Sequence, residues 1–260
     1  MDLQTITTYF RRIKDDPKRL FQVIVSPCAR GLLINSFKET SEYNYVNSLS
    51  LISEVKFKTY LNEIKNDTQF LDYLERKHMQ IRKKPLSKPQ GWTELLYVLI
   101  RHIKPKIILE TGVFDGVSSS FILKALKKNK YGILVSVDRP AYQEIQGSTN
   151  FMPFHLLPPQ KEPGWLVPNN LLSRWKLYKI KNTRGLKKII SKMGKIDIFL
   201  HDSLHTSSHM KWEMTLAWKK LRKNGLLFVD DIFCNDAFTI FCKNKKRAKL
   251  FKYGLGAIKK

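Results

Sequence analysis

The segment 199–209, FLHDSLHTSSH, sets His201, His205 and His209 four residues apart with Asp202 among them. On a helix this spacing stacks three rings on one face, where they could hold zinc for a hydrolytic reaction. At a strand end the same residues form a catalytic loop, with Asp202 and His205 as its working pair. The preceding KIDIFL reads as a strand and favours the loop. A zinc site would also leave Glu110, Asp138, Asp230 and Asp231 unexplained, although each of these acids closes an apolar run.

Those runs define the elements that must position the acids. WTELLYVLIRHI reads as a helix stopped by Pro105, and KIILE as a short buried strand. TGVFDGVSSS, SFILKALKK and GILVSVD follow as turn, helix and strand. RWKLYKI, IDIFLHD and NGLLFVDDIF are the third, fourth and fifth strands, the last entered through a glycine turn. TRGLKKIISKM is the helix before the fourth strand. The helix after His205 carries Met210, Met214, Ala217, Trp218 and Leu221 on one face. The tail reads as a helix and one or two short strands. This alternation predicts an α/β fold, a Rossmann-like, doubly wound and mostly parallel sheet of about seven strands.

Residues 1–84 read as an N-terminal helical extension, with helical spacing in YFRRIKDDPKRLFQVI and FKTYLNEIKNDTQFLDYLERKH. KKPLSKPQG is a loop leading into the second region, 85–260. The stretch 140–175, with MPFHLLPPQKEPGWLVP, is long for a connection and reads as a binding loop or lid. Trp165 is its substrate-wall candidate, whereas Trp175 reads as core.

In an open parallel sheet, ligands bind beyond the carboxyl ends of the strands. Glu110 lies at the end of the first strand, Asp138 of the second, Asp202 of the fourth, and Asp230 with Asp231 of the fifth. Gly112 and Gly116 flank a tight turn in which glycine lets a ligand approach the backbone. Ser118 or Ser119 adds a hydroxyl at the start of the next helix. NAD enzymes use a similar turn with an acid about 20 residues further on, a spacing that Asp138 also meets. Glu110, immediately before the turn, tips the balance: a carboxylate there suits a cationic amino-acid group and repels a pyrophosphate.

ILETGVFDGVSSS resembles motif I of class I S-adenosylmethionine-dependent methyltransferases, and VSVD resembles their next acidic motif. The turn is closest to the catechol O-methyltransferase form, with Phe114 in place of the middle glycine. FLHDSLH followed by LRKNGLLFVDDI is similar to the metal-dependent O-methyltransferases, macrolide-sugar enzymes included. The resemblance covers roughly 90–240 and makes 85–260 the cofactor-binding domain. It implies that Glu110, Thr111 and Gly112 help to place the methionine part of S-adenosylmethionine. It further implies that Gly116 shapes the turn, that Ser118 meets the methionine carboxylate and that Asp138 accepts the two ribose hydroxyls. Asp202, which borders the cofactor as well, would hold Mg²⁺ with Asp230 and Asp231. His205, three residues after Asp202, takes the place of the general base. His201 points away from Asp202 on a strand and reads as core or as a supporting contact. His209, one helical turn beyond His205, reads as a pocket liner.

The expected reaction is Mg²⁺-assisted methylation of a small-molecule hydroxyl, on a sugar or an anionic compound. The formal net charge of +25 raises two other readings, an RNA methyltransferase and a non-catalytic nucleic-acid-binding protein on the same scaffold. HDSLH is not the Asn/Asp-Pro-Pro-Tyr type of motif with which RNA enzymes hold a flipped base. The densest basic runs, RKKPLSK (82–88) and KNKKRAK (243–249), lack the interleaved aromatics of a single-strand groove. No run of eighteen apolar residues predicts a membrane span, and the first residues lack the apolar core of a signal peptide. Cys28, Cys234 and Cys242, odd in number and widely spaced, read as reduced thiols, and the expected location is the cytoplasm. The sequence leaves the oligomeric state open.

Overall fold

The computed structural model describes residues 40–86, 91–140, 156–246 and 250–260. The helical pattern expected before residue 40 and Cys28 lie outside the described residues. So do 141–155 of the expected loop, and 87–88 and 247–249 of the two basic runs.

Seven strands form one sheet in the order β3-β2-β1-β4-β5-β7-β6. They are β1 (Ile107–Thr111), β2 (Ile133–Asp138), β3 (Trp175–Lys179), β4 (Ile196–His201), β5 (Leu221–Val229), β6 (Leu250–Lys252) and β7 (Leu255–Lys259). The first five run parallel; β7 is antiparallel to β5, and β6 to β7. The chain starts at the centre, builds outward to β3 and returns to β4 on the other side of β1. The carboxyl ends of β1 and β4 therefore border the crevice where such sheets bind ligands.

Both sheet faces are covered, which is why the strands read as continuous apolar runs. Ile108, Leu134, Ile198, Leu200 and Phe228 face one core; Leu109, Val135, Phe199, Leu227 and Val229 face the other. The first core is closed by α1 (Glu42–Ser50), α2 (Glu54–Lys65), α3 (Thr68–Arg82), α4 (Trp92–Ile103) and α5 (Val117–Asn129). The second is closed by α6 (Thr183–Lys192), α7 (Ser207–Lys220) and α8 (Ala237–Asn244). The helices of the extension thus share one core with the sheet, and the buried Tyr45 hydroxyl donates to the Leu255 carbonyl at 3.2 Å. No helix among the described residues is long and apolar enough to cross a membrane.

Two local features differ from the sequence reading. Leu221, expected on the helix after His205, instead opens β5. Strand β5 is also entered without the expected glycine turn. Ile196 pairs with Leu221 and Ile198 with Leu226, so β5 bulges outward between them, with Asn224 at φ 62°.

Asp197 ties the amino ends of the central strands together. Buried at the start of β4, it accepts from the backbone N–H groups of Lys106 and Ile107, both at 2.7 Å, and from Arg222 Nε at 2.8 Å. Asp197→Ala strands these donors and is expected to cost about 3 kcal/mol in urea unfolding. A loss below about 1 kcal/mol would show that this clasp does not support the sheet.

Candidate active site

The turn between β1 and α5 is built on a buried carboxylate. Glu110 is 0 % exposed, and accepts from Ser118 Oγ (2.7 Å), Ser119 Oγ (2.6 Å) and Ser136 Oγ (2.7 Å). Burial pushes its pKa up, the three hydroxyls pull it back, and the charge of Asp138 adds to the rise. One side chain thereby joins the end of β1, the first turn of α5 and the middle of β2. Trp175 Nε1 donates to Ser136 Oγ at 2.8 Å and extends this network to β3.

The turn itself is steric. Gly112 has φ 84°, and a Cβ there would stand 1.8 Å from the Asp202 carbonyl oxygen. Gly116, at φ 92°, faces the backbone of Gly164, 2.6 Å from where its Cβ would be. Phe114, in the position of the missing glycine, still adopts φ 50°, a strained conformation for a bulky residue. Asp138 Oδ2 accepts from the N–H groups of Val113 (2.6 Å) and Phe114 (3.1 Å). Burial raises the Asp138 pKa against these two bonds.

At the neighbouring strand ends, Asp202, His205 and Asp230 bring one ligand atom each to within 4.8 Å of one another. Asp231, expected as the third ligand, lies outside this group. It is exposed at φ 52° beyond β5, and His205 stands in the third position instead. Burial and the charges of Asp230, Asp231 and Glu110 raise the Asp202 pKa well above the carboxylate range. Burial and the charge of Asp231 push Asp230 up to about 7. Asp230 Oδ1 is buried with no hydrogen-bond partner among the described residues. Two crowded carboxylates, an unsatisfied oxygen and an adjacent imidazole make a donor set that fits a divalent cation. The imidazole widens the choice from Mg²⁺ toward first-row metals.

The other two histidines belong to a separate network. Glu213 of α7 accepts from Thr111 Oγ1 (2.6 Å) and Ser203 Oγ (3.1 Å), and bonds His201 Nδ1 (2.7 Å) and His209 Nε2 (2.9 Å). Burial would raise its carboxyl, but these partners outweigh burial and hold it at about 2. His201 is fully buried on β4, its ring 5.4 Å from that of His205. Glu213 thus ties His201 and His209 into one network, and neither of them joins His205 in the group with Asp202 and Asp230. His209 does not line the cavity beside the acids.

That cavity holds about 470 Å³ and is lined by Gly112 through Ser118, by Asp202, Ser203, His205, Asp230 and Asp231, and by residues of α3, α4 and the loop between them. Glu110, Thr111 and Asp138 lie behind this wall rather than on it. The helical contribution is anchored by Arg82, a residue the sequence did not single out. Its guanidinium donates to both Asp115 oxygens (2.9 and 2.5 Å) and to the Leu156 carbonyl (2.9 Å), and lies 4.7 Å from the Phe114 ring centroid. Trp165, expected as a pocket wall, instead donates Nε1 to Asp115 Oδ1 at 2.7 Å. Asp115 inside the turn was a visible acid, but its partners come from about 30 residues before it and 50 after it.

A family model described as "Methyltransferase domain" matches residues 109–232. No curated protein matches the chain. Among solved structures, a protein described as a caffeoyl-CoA O-methyltransferase from Staphylococcus aureus superposes with a TM-score of 0.53 at 14% identity, over 79% of this chain and 98% of that one. An O-methyltransferase from Bacillus cereus, solved with S-adenosylhomocysteine, gives 0.48 at 12% identity, over 84% and 96%. One from Klebsiella pneumoniae gives 0.48 at 12%, over 83% and 94%. Strand order, glycine turn and matched segment agree: residues 109–232 match the methyltransferase-domain family, and the chain has the fold of the Staphylococcus aureus structure.

Proposed function

We propose that the protein transfers the methyl group of S-adenosylmethionine to a hydroxyl oxygen of a small molecule, a sugar or an anionic compound, with a divalent cation beside the acceptor. The observation that carries this reading is that the glycine turn and the Asp202, His205, Asp230 group line the same cavity. Gly112, Gly116 and Ser118 receive the methionine part. Glu110 and Thr111 support the turn from behind. Asp138, with Oδ2 bound to the turn, offers its other oxygen to the ribose. Asp202 and Asp230 hold the cation, Mg²⁺ being the first candidate, and Asp231 guards the mouth. The setting is cytoplasmic and reducing, with Cys234 and Cys242 as thiols outside any disulfide.

The acceptor oxygen attacks the methyl carbon in line with the carbon–sulfur bond. The bonding pair leaves with sulfur, and a neutral thioether results. The acceptor hydroxyl must lose its proton, and His205 on the cavity wall is the group placed to take it. A cation, when bound, lowers the pKa of that hydroxyl. The chain's own contribution is to align the two reactants and keep competing water out, which alone is worth several orders of magnitude.

His205→Ala is expected to lower kcat by about 10²- to 10⁴-fold. Cofactor affinity by calorimetry should stay within about twofold. The same side chain also completes the cation group, and a parallel loss of Mn²⁺ or Mg²⁺ affinity would make it a ligand instead of the base.

A second expectation concerns pH. In the cation-free protein Asp230 keeps its proton up to about pH 7, whereas the unfolded chain releases it near 3.8. The folded state therefore binds more protons in that window, and thermal stability should fall as pH rises through it. Added Mg²⁺ or Mn²⁺ should reverse the fall above pH 7, and Asp230→Asn should weaken both effects. Stability that is flat with pH and indifferent to EDTA would remove the cation from the reading but leave methyl transfer in place.

A further inference from the structure

The opposite end of the sheet carries a second cavity, of about 840 Å³, between the start of β5, residues 259–260 and α1. Its wall includes the side chains of Lys195, Arg222, Lys223, Lys259 and Lys260, and no acidic side chain among the described residues. Nine residues of β5 separate it from Asp230, roughly 25–30 Å at strand rise, so it cannot belong to the methyl-transfer site.

These cations are arranged by the fold. The β5 bulge carries Arg222 and Lys223 outward. Lys260 Nζ is held by the carbonyls of Trp218 (2.6 Å) and Leu221 (2.8 Å), and Lys259 Nζ by that of Leu49 (3.2 Å). Lys195 and Lys223 make no hydrogen bond or ion pair among the described residues. The one acid that touches the group, Asp197, takes Arg222 Nε and already serves two backbone N–H groups. Lys245 adds a further charge, lying 5.8 Å from the Trp218 ring that Lys260 approaches at 5.6 Å. Burial and the charges of Lys195 and Lys245 pull the Lys260 pKa below its ordinary value. Like charges assembled on a concave wall repel one another, and an anion relieves that repulsion.

We propose that this cavity binds a compact ligand carrying two or more phosphoryl groups, with Lys195 and Lys223 as the mobile clamps and Arg222, Lys259 and Lys260 as its fixed floor. The volume falls within the range of small-molecule sites, and point-charge ammonium groups around a guanidinium suit clustered phosphoryl oxygens. The proposal is independent of the methyl-transfer reading.

The test is calorimetric titration of the full chain with inorganic tripolyphosphate at two salt concentrations. It is repeated on Lys195→Gln/Lys223→Gln and on a control with the same charge change elsewhere, Lys127→Gln/Lys130→Gln. The first double variant should bind at least about tenfold more weakly, and the control should bind like the wild-type chain. Equal weakening in both variants would reduce the effect to diffuse charge and overturn the proposal, as would no binding at all. A twelve-nucleotide RNA is titrated in parallel. RNA binding that depends on Lys195 and Lys223 and that tripolyphosphate does not displace would also overturn it, in favour of a nucleic-acid surface.

Discussion

The buried carboxylate of Glu110 is the constraint on which the glycine-turn end of this protein depends. A carboxylate removed from water is tolerated only where donors replace the water, and here three serine hydroxyls do so from two different elements. Because Ser118 and Ser119 belong to α5 and Ser136 to β2, satisfying one group fixes where helix and strands meet. The glycine turn above it then has little freedom. Asp138 clamps two of its amides, and the carbonyl of Asp202 leaves no room for a side chain at 112.

Across the crevice the electrostatics run the other way. Asp202 and Asp230 end adjacent strands, so pairing of β4 with β5 brings their charges together whether or not they are compensated. Among the described residues neither forms an ion pair with a lysine or arginine, and His205 brings a ring nitrogen into their group. A few residues away Glu213 has the opposite fate. It is equally buried, yet two histidines, a threonine and a serine keep it ionised. One network is a closed support and the other is open to a ligand, although they are separated by little more than the thickness of the β4 end.

The helical extension enters the site mainly through Arg82. Arg82, at the last turn of α3, reaches Asp115 in the glycine turn and the Leu156 carbonyl beyond the loop, so the cofactor turn is held from below by Glu110 and from outside by Arg82. The extension and the sheet also share their core, and one wall of the cavity is consequently formed by residues of α3, α4 and their connecting loop.

The sequence by itself determined the strands, their parallel order of use, and the acids at their ends. Each of these follows from local periodicity: an apolar run of five or six residues is a buried strand, and an acid after it lies at the carboxyl edge. Gly112 and Gly116 were legible for the same reason, since a turn between strand and helix has few solutions. Only the tertiary structure decided which acids face the cavity. Glu110 and Asp138 point into the frame of the turn, because hydroxyl and amide donors from other elements meet them there. His205 rather than Asp231 joins Asp202 and Asp230 within ligand distance: the chain turns to positive φ just past β5, and Asp231 stays exposed on the cavity wall. The roles of Arg82 and Glu213 depend chiefly on Asp115, Leu156, His201 and Thr111, partners 12 to 102 residues away, a distance over which no spacing in the sequence carries information.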